Sequence, residues 1–212
     1  MAVWAVRPLS SLSGGALTRL VDPPRLEGEA QADAASLRHA RYRVASLEAE
    51  FETTIAPRLR LGGFHYEGQL LPLSAKLGGA LEQLESLQQF ELAETTMVTP
   101  KLRGLLRQLD RTFQQEGGGQ WAQFRQKYTK AVGEYLAVLR SRAAEKNRSR
   151  LADLRAELPS VPAFQDLPAC ANPPARFGQL ALELLLQQPR VGVTLVGARS
   201  GAQAEEVVSL LR

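Results

Sequence analysis

The 212-residue sequence predicts a mainly α-helical chain with a short strand segment near each end. Three observations carry this. The long central stretch repeats apolar residues at spacings of three, four and seven, the signature of helices with one buried face. Val3-Trp4-Ala5-Val6 and Val191-Gly192-Val193-Thr194-Leu195-Val196 are short, continuously apolar runs of the kind that a parallel sheet buries on both faces. Clusters of Gly and Pro separate these stretches.

In chain order, Pro8 ends the first strand because proline cannot donate to a ladder. A Ser/Gly loop, Ser10 to Gly15, and the break Pro23-Pro24 follow. A helix is expected over residues 31–61, with Leu37, Val44, Leu47, Phe51, Ile55 and Leu59 on its apolar face. Pro57 is placed to kink its last turn, and Gly62-Gly63 stops it. A second helical block begins near Pro72, with Leu77, Leu81, Leu84 and Leu87 on one face; Leu102, Leu105, Leu109 and Phe113 resume it. Thr99-Pro100 reads as a break between the two halves, Thr as N-cap and Pro at the first helical position. A third helix runs from Gln120 to about Glu157. Trp121, Phe124, Tyr128, Ala131, Tyr135, Val138 and Arg142 trace one stripe, which reads as a packing face rather than a ligand platform. Residues 158–174 are Pro-rich and aperiodic, a linker or crossover loop. A helix over 175–188, the second strand, a turn at Gly197 to Ser200 and a terminal helix over 203–211 complete the chain. No internal repeat of fixed period is evident.

Composition excludes several classes. The net charge is +4, but basic residues are interleaved with Glu, so nucleic acid is not an expected partner. No run approaches the roughly 18 to 20 apolar residues of a membrane span. The N-terminus lacks a basic region followed by a long apolar one, so a cytoplasmic location is expected. Cys170 is the only cysteine, so no disulfide closes within the chain. It lies in a loop with no nearby His and reads as an incidental thiol; His39 and His65 read as surface residues. No metal site is expected.

The most specific signal is the tail. A strand that exits into Gly197-Ala198-Arg199-Ser200 and then a helix presents backbone N–H groups and a guanidinium where an anion can sit. A capped surface helix with Arg199 in water is the bland alternative. The run Leu180 to Pro189, then Val193 to Ser200, then Gln203 and Glu206, resembles the end of the aldo-keto reductases. The head agrees: Val3 to Leu9, Gly14-Gly15-Ala16-Leu17 and Arg19 resemble that family's seventh barrel strand and the loop after it.

The resemblance covers about 20 residues at the head and about 38 at the tail, and implies a C-terminal fragment of a (β/α)8 TIM barrel. On it, residues 1–24 are the penultimate strand and cofactor loop, 25–165 a helical insertion, and 166–212 the last helix, strand, phosphate turn and terminal helix. It implies NADP as cofactor and a carbonyl substrate. Arg7, Pro8 and Leu9 would lie along the pyrophosphate or nicotinamide, with Arg19 grouped beside them. Gly197, Arg199 and Ser200 would face the 2′-phosphate, and Gln203 and Glu206 would line the adenosine. Gly201, Ala202 and Val207 depart from the family pattern on the adenine side. The family's catalytic Asp, Tyr, Lys and His have no counterpart here, so no catalytic residue is assigned and the chain is expected to be inactive alone. The competing reading is a non-enzymatic helical module, a partner-binding bundle or a pseudo-reductase remnant.

Overall fold

The structure, a computed structural model, describes residues 3–6, 10–13, 16–19, 33–58, 71, 73–114, 119–157, 177–187, 191–195, 205 and 208. It is mainly helical, as the periodicity requires. The chain divides into two compact units, Met1–Pro24 with Lys146–Arg212, and Arg25–Glu145. None of the described helices is long and apolar enough to cross a membrane.

The unit Arg25–Glu145 is a bundle. Helix α1 (Ala34–Glu50) starts at Asp33, whose carboxylate accepts from the Ser36 N–H at 2.6 Å and so removes one unpaired donor of the first turn. That N–H also holds the exposed Asp33 carboxyl below its usual range. A π-helical turn, Phe51–Ile55, and a 3-10 turn, Ala56–Arg58, extend α1. A second π turn, Leu73–Leu77, leads into the short α2 (Gly78–Glu82). Then come α3 (Leu87–Ala93), a third π turn (Glu94–Val98), α4 (Thr99–Gln114) and the 39-residue α5 (Gly119–Glu157).

Side-chain ties set the directions. Along α1, Arg43, Glu48 and Phe51 meet Glu134, Tyr128 and Trp121, so α1 and α5 are antiparallel. Glu94, Asp110 and Phe113 meet Arg140, Arg125 and Trp121, so α3 and α4 also run against α5. Ser74 and Glu82 meet Glu48 and Arg41, which turns the α2 segment against α1. The result is an up-down-up-down bundle. Its core is aromatic at one end. Phe113 stacks on Trp121 with centroids 4.9 Å apart, and Phe51, Phe124 and Tyr128 continue the cluster. Every apolar member of the α5 stripe expected from the sequence is buried; Arg142, at its end, is half-buried.

Thr99-Pro100 is not a helix break. Thr99 has helical dihedrals (φ −61°, ψ −46°), and its N–H reaches back five residues to the Glu94 carbonyl. A proline in a regular helix removes an i to i−4 bond and strikes the carbonyl of that turn. The wider π turn just before it displaces that carbonyl, and the helix continues. Pro57 is accommodated in the same way, with the Ala56 N–H on the Phe51 carbonyl. Thr53 and Thr96 each donate their hydroxyl to the carbonyl four residues back, Ala49 and Leu92. The two stretches, Thr53 to Arg60 and Thr96 to Arg103, share Thr, Pro, Leu and Arg at equivalent positions. They form a local repeat that a search for a fixed period across the chain passes over. The true break in this block lies at Gln83 to Ser86. There the buried Ser86 caps α3, its Oγ accepting from the Gln89 N–H at 3.2 Å, while Gln89 Oε1 accepts from the Glu85 N–H. Ser86→Ala is expected to lower unfolding free energy by about 1 kcal/mol, measured by urea denaturation.

In the other unit, β1 (Val3–Val6) pairs in parallel with β4 (Val191–Leu195), with Trp4 opposite Val193, Ala5 opposite Thr194 and Val6 opposite Leu195. Helix α6 (Phe177–Leu186) precedes β4. The expected Ser/Gly loop is instead an antiparallel hairpin, β2 (Ser10–Ser13) and β3 (Ala16–Arg19), joined across Gly14-Gly15. The register leaves two residues between the strands, and Gly-Gly is a sequence signal for a two-residue hairpin connection.

Candidate functional site

Two places bear on function, one through its side chains and one through the strand ends it brings together. The first is inside the bundle. Glu48 of α1 is buried, and its carboxylate accepts from the Ser74 N–H at 3.2 Å, from the Ser74 hydroxyl, and from Tyr128 Oη at 3.0 Å. Two helical turns further along α5, Tyr135 Oη donates to Glu82 Oε1 at 3.0 Å, and Arg41 Nη1 lies 3.3 Å from the same oxygen. Burial pushes the Glu48 carboxyl up, with the three donors opposing it. Burial, reinforced by the facing carboxylates, pushes both phenols well above their ordinary range.

That arrangement does not suit proton transfer. Each phenol is held neutral, and its O–H is already donated to a carboxylate. The donors and acceptors satisfy one another, which is what a buried carboxylate requires. The pair of Tyr–Glu ties therefore pins the α2 segment between α1 and α5. Gly78 marks how close that segment lies. A methyl group there would come 2.8 Å from Tyr135 Oη. Gly78→Ala is expected to cost about 1 to 3 kcal/mol, visible as a lower urea midpoint with unchanged slope. A shallow cleft of about 430 Å³ opens beside the N-terminal half of α1, where His39, Arg43 and Glu134 rim it over Ala40 and Val138. Arg43 and Glu134 are already ion-paired across it, and His39 is exposed. Among the described residues no group of three or more His, Cys, Asp or Glu side chains could hold a metal ion.

The second place is the end of the β1–β4 pair. Of the residues expected to bind a cofactor, Arg19 is described, as the last residue of β3, opposite Ser10. Arg7, Pro8, Leu9, Gly197, Arg199, Ser200, Gln203 and Glu206 lie outside the described residues. What is described is where the chain leaves each strand. Val6 and Leu195 are paired, so β1 and β4 end side by side at the same end of the sheet. The sequence reading brings out the strands but not the buried Glu48, Tyr128, Glu82 and Tyr135 set. Glu48 carries a faint signal, since it falls on the buried face of α1 with Leu37 and Val44.

No protein-family model, no curated protein and no solved structure matches the chain.

Proposed function

We propose that this chain carries the cofactor edge of an NADP-dependent aldo-keto reductase, its β1 and β4 being the last two strands of a (β/α)8 barrel. The observation that supports this best is the parallel pairing of two strands from opposite ends of the sequence. Parallel neighbours need a crossover, and here the crossover ends in helix α6 directly before β4. In such barrels the loops after the last strands commonly hold phosphate. On this reading Arg199, with the N–H groups of Gly197 to Ser200, takes the 2′-phosphate, and Arg7 to Leu9 line the cofactor from the adjacent strand. Gln203 and Glu206 flank the adenosine. The family's catalytic Asp, Tyr, Lys and His have no counterpart in this sequence, so hydride transfer is not assigned to it alone.

The test is saturation-transfer NMR of the full chain with NADPH and NADH. Transfer to the adenosine protons of NADPH, stronger than for NADH and reduced about tenfold by Arg199→Ala, is the expected result, because a charge-assisted bond to phosphate contributes about 1.5 to 3 kcal/mol. Equal response to both cofactors, or no effect of the substitution, overturns the reading.

A further inference from the structure

Helix α4 carries a row that the linear sequence conceals. Arg103, Arg107 and Arg111 recur every four residues, which stacks them on one face with about 6 Å between successive side chains. All three are exposed. The ion pairs of Arg41, Arg43, Arg125 and Arg140 do not involve the row. The acid on α4 itself, Asp110, is committed to α5, where it meets Arg125 Nε at 3.0 Å and accepts from Trp121 Nε1 at 2.9 Å. Arg107 Nε donates to the Arg103 carbonyl, which leaves the rest of its guanidinium outward. Gly104, between the first two arginines, is exposed, and a methyl group there would touch nothing within 4 Å. The face is therefore cationic and open to close approach.

From this row we infer that α4 is a docking surface for an acidic helix of a partner protein, one that presents carboxylates at four-residue spacing. The match is one of repeat and charge. A helix laid along α4 offers Glu or Asp about every 6 Å, in step with the arginines, and the planar guanidinium fork takes a carboxylate through two bonds. The length of the row decides against an extended polyphosphate. It spans about 12 Å. The same helical course toward its N-terminus, α3 and its π turn, has no basic residue and carries Glu91 and Glu94. A nucleic-acid backbone following the axis would outrun the arginines after about 12 Å and find no basic residue along α3 and its π turn, while a short acidic helix ends with the row.

The experiment uses fluorescence anisotropy of the full chain with an alanine-rich helical peptide bearing Glu at three positions four apart, its Gln counterpart, and a short RNA duplex. The Glu peptide is expected to bind at low salt and the Gln peptide not. Binding is expected to fall at least about tenfold in the R103Q/R107Q/R111Q variant and to weaken as salt shortens the screening length. The K127Q/K130Q variant, altered on α5, should bind as the parent does. Circular dichroism should show unchanged helicity, since the substituted side chains are exposed; if the triple variant fails to fold, R107Q alone must still weaken binding measurably. Undiminished binding by the variant, equal loss in the α5 variant, tighter binding of the RNA duplex, or no binding of the Glu peptide overturns the inference.

Discussion

Phe51→Ala is expected to destabilise the chain by about 3 to 5 kcal/mol, enough to unfold a marginal bundle. The ring is fully buried and touches two others, Trp121 at 6.0 Å and Phe124 at 5.4 Å between centroids. It also sits at the start of the π turn that carries α1 past Pro57, so its removal opens a cavity where the helix is least regular. The neighbouring ring stack cannot collapse into the gap, because Trp121 is held from the other side by Phe113 and Asp110. Thermal unfolding followed by Trp fluorescence reads the loss. A change below about 1 kcal/mol would show that the aromatic cluster does not hold the bundle.

Glu48 gives the second large effect, and it has a pH sign. Glu48→Ala leaves the Ser74 N–H, the Ser74 hydroxyl and Tyr128 Oη without their acceptor, and each orphaned buried group costs about 1 to 3 kcal/mol. Glu48→Gln keeps an acceptor and removes the buried charge. The folded-state pKa of Glu48 is raised above its unfolded value. The folded state thus binds the proton more tightly than the unfolded state. Stability from this group is fully present below the unfolded pKa and is lost as pH rises through the folded one. Relative to wild type, Glu48→Gln should therefore be more favourable at about pH 7 than at about pH 4, while Glu48→Ala is destabilising at both. Urea titrations at the two pH values check this. A Gln variant whose relative stability worsens as pH rises contradicts the assignment.

How much of this the sequence reveals depends on which interactions hold each element. The α5 stripe is legible because a long helix with one buried face leaves a periodic trace, and its observed span, Gly119–Glu157, lies within a residue of the expected one. The break between α2 and α3 carries a signal, Ser86-x-x-Gln89, but the apolar spacing of Leu81, Leu84 and Leu87 runs through it and hides it. Thr99-Pro100 misleads for the opposite reason. Its local signal is strong, but the π turn upstream absorbs the proline. The hairpin across Gly14-Gly15 had its signal in plain view; short Ser-rich strands without apolar alternation masked it. The Tyr–Glu ties join residues up to 80 positions apart, and no local pattern announces such pairs. The residues expected to hold the cofactor lie outside the described residues, except Arg19, so for them the resemblance remains the only guide.

The proposed cofactor edge rests on β1 and β4 lying side by side in one register, and that can be trapped chemically. Paired positions in a sheet lie about 4.8 Å apart, within the span of a disulfide. In a chain with Cys170→Ser, the double variant Ala5→Cys with Thr194→Cys should cross-link on mild oxidation and migrate as a closed loop under non-reducing conditions. Val3→Cys with Leu195→Cys, which pairs opposite ends of the two strands, should not. Cross-linking of the mismatched pair in preference to the matched one, or of neither, would contradict the parallel register on which the cofactor edge depends.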